Sequence, residues 1–401
     1  MDTEQFRFGC TPADSYGRRL AVSLMALSLL LFGASDAFAG DRERAKRIHD
    51  RLAGVPPTDT VLADMQSDVL AGNPELAAIT AMDNPAFYSV TLKNMATPWT
   101  NRDQTVFAPL NDYTATFIGM VRDDVPMNTA LSADLLYIGS GPGIPAYSPS
   151  NNNHYEALEN NGVDLQTNLV ATTQSALLGL PTAATAGLMT TRAAAEAFLI
   201  LGTNRANFRY TLLNHLCVDM EQVKDTTLIP DRIRQDVSRS PGGDSRIFLN
   251  NCVGCHSGMD PMAQAFAYYN FDDNTRVMQY TPGQVQPKYG INSGTFAYGF
   301  ITPDDSWDNY WRDGQNQLLG WSSSPSLPGS GTGAKSMGEE LANSDAFAYC
   351  QVRKVFKNVC LRDPVDPTDN ARIDTMVLSF RGNNYRLKQV FAEAAAYCMG
   401  D

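Results

Sequence analysis

Histidine is scarce in this chain: His49, His154, His215 and His256 are the four among 401 residues. A zinc centre of the usual kind needs four Cys or His ligands at close spacing, and few are on offer. Beyond Phe32 no apolar run reaches the roughly 20 residues needed to cross a bilayer, which excludes a polytopic membrane protein. Positive charge is also in deficit, with 31 Lys and Arg against 43 Asp and Glu and a net charge of −12. A surface of that sign repels phosphate backbones and anionic lipid, which argues against nucleic-acid binding. No internal repeat, coiled-coil heptad, Ser/His/Asp arrangement or metalloprotease motif stands out. What is present is 43% hydrophobic and 18% charged residues, the composition of a chain that folds around a core.

The first 39 residues read as an export signal. Arg18-Arg19 precede an apolar run from Leu20 to Phe32, and Ala37-Phe38-Ala39 supplies the small residues of a cleavage site before Gly40. The run is too short for a confident span. Removing this segment, with its three arginines and four acids, leaves a mature charge of −11. The expectation is an exported, periplasmic protein with no stable membrane span after cleavage. An acidic mature chain matches a partner that is basic at its docking face.

Seven cysteines are encoded, at 10, 217, 252, 255, 350, 360 and 398, and Cys10 leaves with the signal. Cys252-Val253-Gly254-Cys255-His256 has the spacing that attaches c-type haem. Two thiols one helical turn apart form thioethers with the vinyl groups of a single porphyrin, and the adjacent histidine lies under the iron. The rival readings are half a zinc site, for which ligands are few, and a thioredoxin-like redox pair, which belongs near a βαβ pattern that is absent here. The expected cofactor is therefore one covalent haem c, held by Cys252, Cys255 and His256. In an oxidising compartment the four remaining cysteines suggest two disulfides. Three pairings are possible, and Cys350 with Cys398 is preferred because both fall on C-terminal helices. Buried free thiols are the alternative.

The hydrophobic spacing is helical almost throughout. Helices are expected at Asp41 to Leu52, after the cap Thr58, after Asn73-Pro74, and over Thr114 to Val121. Others are expected over Leu165 to Leu180, Arg192 to Leu201 and Asn204 to Cys217. Three close the chain: Ser336 to Val359 with a break near Asn343-Ser344, Thr368 to Phe380, and Tyr385 to Cys398. Asp363, Asp366 and Asp369 lack the glycine of a calcium loop, and Pro367-Thr368-Asp369 reads better as a helix start. Irregular regions run from Gly139 to Asn161 and from Tyr280 to Lys335, the latter with short strands around Phe296 to Ile301. Trp307 and Trp311, an i,i+4 pair, are read as core. The fold class is mainly α, multi-helical, with a c-type haem-binding segment and long irregular loops. The divisions are signal peptide 1–39, an N-terminal helical region 40–218, a haem-binding region 219–335 and a C-terminal helical region 336–401.

From Cys252 the sequence reads Cys-Val-Gly-Cys-His-Ser-Gly-Met-Asp-Pro, ending in Tyr269-Asn270-Phe271-Asp272. This resembles the cytochrome-like domains first catalogued in planctomycete proteins. There C-x-x-C-H is followed by Asp-Pro and an aromatic-Asp ending. Thr203-Asn204-Arg205-Ala206 through Cys217, and Ser344-Asp345-Ala346-Phe347 through Arg362-Asp363-Pro364, are similar to that group's flanking segments. The likeness covers about residues 190 to 400, with Asn358-Val359-Cys360-Leu361 departing from the expected Leu-Gly-Arg turn. It implies a fold and haem attachment, not an activity.

Around the motif, Ile247, Phe248 and Leu249 are expected to wall the haem. The carbonyl of Pro261 is expected to orient the His256 ring. Arg232, Arg234, Arg239 and Arg246 are candidates for pairing with a propionate, because a guanidinium matches a carboxylate in two places. Met337, in the glycine-rich stretch Gly331 to Gly338, is the expected sixth ligand, as a loop methionine caps the iron in small c-type cytochromes. Met278, His215 or an open iron are the alternatives. The function expected is electron transfer by a periplasmic monohaem cytochrome c with a redox partner. A haem enzyme with an open iron, or a haem-containing scaffold protein, is the alternative.

Overall fold

The computed structural model describes residues 40–200, 203–291, 296–321 and 327–400. The export signal at 1–39 and Cys10 lie outside them. The protein is mainly α, with 57% helix and 7% strand. Among the described residues no helix is long and apolar enough to cross a membrane.

The chain begins with three helices, α1 (Asp41–Ala53), α2 (Asp59–Leu70) and α3 (Pro74–Met82). Helix α1 buries Ala45, Ile48 and Leu52 at helical spacing and stops at Gly54, whose φ of 73° only glycine adopts freely. The Thr58 side chain accepts from Val61 N–H to cap α2, and Pro74 opens α3, both as expected from the sequence. α1 and α3 pack on the last helix in the chain, and α2 packs on both of them. α4 (Asp112–Arg122) is buried from Asp112 to Val121, and the Asp112 carboxylate accepts the first two N–H groups of α5 (Arg192–Phe198), at 2.6 and 3.0 Å. α6 (Arg205–Thr211) runs into a π-helical turn, Leu212–Leu216, and ends at Cys217. α7 (Val253–Ala263) carries the C-x-x-C-H histidine.

Four C-terminal helices follow, α8 (Gly333–Ala342), α9 (Asp345–Cys360), α10 (Pro367–Gly382) and α11 (Leu387–Cys398). The expected break at Asn343-Ser344 separates α8 from α9, with Ser344 capping Phe347 N–H at 3.1 Å. α10 opens at Pro367, in line with Pro367-Thr368-Asp369 as a helix start, and the Asp366 side chain caps it. Arg44 and Arg51 of α1 donate to the carbonyls of Gly400 and Cys398, at 3.1 and 2.6 Å, and Arg47 to that of Met399. The two ends of the described chain are tied together, because the last carbonyls of a helix have no partner within it.

Among the described residues the strands form three antiparallel two-stranded ribbons: β1 (Leu136–Gly139) with β2 (Leu169–Thr172), β3 (Tyr269–Asp272) with β4 (Val277–Tyr280), and β5 (Ser306–Asp308) with β6 (Ser330–Thr332). The helix expected over Leu165 to Leu180 is therefore corrected. Leu169-Val170-Ala171-Thr172 carries β-branched residues at alternate positions and pairs with β1, leaving short helices on either side. Around Phe296 to Ile301 no strand forms; Phe300 makes a single bridge to Arg234.

One hydrophobic core runs from Ala45 to Ala395 and takes residues from all three regions, 40–218, 219–335 and 336–401. Trp307 and Trp311 lie within it, buried as expected.

The disulfides are Cys217–Cys350 and Cys360–Cys398, which corrects the expected Cys350–Cys398 pair. Cys350 and Cys360 both lie on α9, and at 1.5 Å per residue they stand about 15 Å apart along it. Cα atoms must come within about 7 Å to be bridged, and it is the end of α9 that meets the end of α11, with Cα atoms of Cys360 and Cys398 5.4 Å apart. Cys350 meets Cys217 instead, with a Cα separation of 5.3 Å. Non-reducing peptide mapping is expected to recover these two linkages, with Cys252 and Cys255 in neither. A linkage joining Cys350 to Cys398 would contradict this packing.

Candidate functional site

The site is built on α7 and the π-helical turn, Phe248–Cys252, that leads into it. Cys252 and Cys255 are free thiols, whereas the four other cysteines of the described chain are paired. Three residues of helix place the two thiols one turn apart. Burial raises the pKa of the Cys255 thiol, which approaches the Met220 carbonyl at 3.4 Å.

His256 and Asp260 are an i,i+4 pair and so share a helix face. Nδ1 of His256 lies 3.1 Å from Oδ1 of Asp260. This corrects the expectation that the Pro261 carbonyl orients the ring: Pro261 lies inside α7, and the acid one turn along reaches the ring first. The Asp260 side chain is 0% exposed and is held from several directions. Arg205 of α6 reaches it in a fork, Nε to Oδ1 at 2.6 Å and Nη2 to Oδ2 at 3.0 Å. The same guanidinium pairs with Asp236 at 2.5 and 2.9 Å. Buried Arg234 donates from its guanidinium to the Asp260 carbonyl at 2.8 Å and to Thr203 Oγ1 at 2.6 Å, and from its backbone N–H to Oδ2 at 3.4 Å. Burial alone would raise the Asp260 pKa. The charges of Arg205 and Arg234, with the His256 contact, outweigh it and hold the carboxyl well below its usual range. An ionised carboxylate only accepts, so in the neutral ring Nδ1 of His256 carries the proton and Nε2 the lone pair.

Neighbouring segments press closely on α7. The Gly254 carbonyl accepts from Asp225 N–H at 3.0 Å. A Cβ at Gly258 would lie 2.0 Å from Nε1 of buried Trp311. Beside Cys255, His256 and Met259 an open cleft of about 740 Å³ extends across Arg205 and Arg209 of α6 to Met220. A depression of similar size, about 750 Å³, lies along α1 but has neither a thiol nor a histidine in its lining.

The structure thus brings Cys252, Cys255 and His256 together and sets Met337 elsewhere. Gly331 to Gly338 is not a loop throughout: α8 starts at Gly333, and Met337 is fully buried on it, in the core with Ala334 and Leu341. The methionines that line the cleft are Met220 and Met259. Met278 is buried on β4 opposite Phe271. His215 is a core histidine, with Nε2 2.6 Å from the Tyr113 hydroxyl, and burial lowers its pKa well below the usual value. Of the expected apolar wall, Phe248 is buried against Ile233 and Val237, while Ile247 and Leu249 are exposed. Among the expected arginines Arg232 pairs with Asp308, Arg239 with the carbonyls of Val237 and Ile233, and Arg246 with Asp244. Arg205, which sequence reasoning passed over, is the arginine at the centre; its signal was the acid four residues beyond a motif histidine, which needs a cation when buried.

Compared with models of protein families, with curated proteins and with solved structures, the chain matches none.

The residues present fit a covalent haem. Two unpaired thiols stand one turn apart, the adjacent imidazole has its tautomer set by Asp260, and a cleft lies beside them.

Arg205→Met is expected to cost about 3–5 kcal/mol, because it leaves Asp260 charged and buried without its main partner. Urea denaturation at neutral pH measures this. Asp260 has a depressed folded pKa, so its contribution is present above the unfolded value of about 3.9 and is lost as pH falls through that value towards the folded one. The wild-type advantage over the variant is expected to shrink below about pH 4. A gap that stays constant on acidification would contradict the ionised pair.

Proposed function

We propose that this chain is an exported, periplasmic monohaem c-type cytochrome that transfers electrons. The observation that carries the reading is the pair of free thiols one turn apart where the π-helical turn enters α7, beside a histidine whose Nδ1 faces a carboxylate, while every other described cysteine is paired. Cys252 and Cys255 would form the thioethers, and His256 would present Nε2 to the iron. The haem supplies a one-electron couple. The chain's own residues hold it on α7, with the Asp260–Arg205–Asp236 cluster behind the histidine ring and the cleft of α6 and α7 beside it. Two disulfides fit an oxidising compartment, and the acidic chain suits a partner with a basic docking face.

A second reading, a haem enzyme with an open iron, is favoured by two observations. Met337 is packed in the core, and the cleft beside His256 opens to solvent.

Protein produced with c-type maturation is expected to keep its haem on a denaturing gel, and Cys252→Ser with Cys255→Ser to lose it entirely. A reduced spectrum unmoved by carbon monoxide supports the electron carrier. A shifted spectrum supports the open-iron enzyme. Wild-type protein without covalent haem overturns both.

A further inference from the structure

We propose that Asp260 is a positioning residue that sets the donor strength of His256 and thereby lowers the potential of a haem iron bound there. This rests on the haem reading above and adds to it a residue acting through the histidine that would hold the iron. A histidine ligand is oriented by whatever accepts from its other ring nitrogen, and an anionic acceptor makes the imidazole a stronger donor than a neutral carbonyl does. Here that acceptor is a carboxylate, 3.1 Å from Nδ1.

The carboxylate has little freedom to do anything else. Its two oxygens offer about four acceptor sites. Arg205 Nε and His256 Nδ1 meet Oδ1, at 2.6 and 3.1 Å, while Arg205 Nη2 and Arg234 N meet Oδ2, at 3.0 and 3.4 Å. All four directions are taken by the protein, and the side chain has no exposed surface on which to rotate towards water. Arg205 is itself shared with Asp236, so its charge is divided between two carboxylates. Two arginines and two aspartates balance in charge, and the donors to the Asp260 carboxylate that are not guanidinium groups are the backbone N–H of Arg234 and Nδ1 of the histidine ring.

The rival account is a purely structural clamp joining α6 to α7, with no effect on the histidine beyond holding it. Two variants separate them. Asp260→Asn and Asp236→Asn each remove one negative charge from the same cluster and weaken the same guanidinium's pairing. Only the first takes the charge from the atom that faces Nδ1. The haem-loaded wild type and both variants are compared by spectroelectrochemical midpoint potential and by ferric electron paramagnetic resonance.

The expected result is a potential raised further in Asp260→Asn than in Asp236→Asn, with the resonance spectrum altered in Asp260→Asn alone. Equal shifts of potential in the two variants, or an unaltered spectrum in Asp260→Asn, overturn the proposal while leaving haem attachment intact. If Asp260→Asn does not fold, Asp260→Glu replaces it, keeping the charge but displacing the oxygen from Nδ1. An altered spectrum then supports the proposal and an unaltered one overturns it. Wild-type protein that carries no haem overturns the underlying reading, and the proposal with it.

Discussion

Asp260 is a carboxylate with no exposed surface, and the region around the C-x-x-C-H motif is organised by the need to keep its charge partnered. A buried acid is tolerated when charges and hydrogen bonds surround it; remove one partner and the remaining charge costs several kcal/mol. Arg205 brings α6 to it, Arg234 brings the segment after residue 230, and Asp236 returns to the same guanidinium. His256 is the remaining donor. The geometry of the histidine is thus a by-product of electrostatics that the fold must satisfy with or without a cofactor.

That constraint links local sequence to the site. An i,i+4 pair on a helix puts the acid under the ring, so the tautomer is decided by α7 itself. Close approach at Gly258, against Trp311, leaves α7 little room to shift. The Cys217–Cys350 disulfide anchors the end of the π-helical turn after α6 to α9. The cleft therefore lies between elements that are each fixed from behind.

Much of the architecture was legible in the sequence because it rests on local rules. Thr58 and Pro74 begin helices where capping chemistry says they do, helices break at Asn343-Ser344 and start at Pro367 as read, and the periodicity of α1 predicts its buried face. The triplet Cys252, Cys255 and His256 was legible for the same reason, being a short-range pattern. What was not legible depended on long-range partners. The strand Leu169–Thr172 exists because β1 is there to pair with it, and the cysteine pairing follows from which helix ends meet. Met337 read as a loop ligand because glycines flank it, yet Gly333 opens a helix whose buried face includes Met337. Arg205 lies 55 residues from Asp260, and the sequence shows that a buried acid there needs a cation without showing which one supplies it.

The central claim is that α7 carries a haem bound through Cys252 and Cys255 with His256 beside it. The most direct test is the intact mass of the wild-type protein, matured in a periplasm, denatured and kept non-reduced. The account predicts the polypeptide plus one haem, and the polypeptide alone when both cysteines are replaced by serine. A wild-type mass equal to the polypeptide alone, with both thiols open to alkylation, would contradict it.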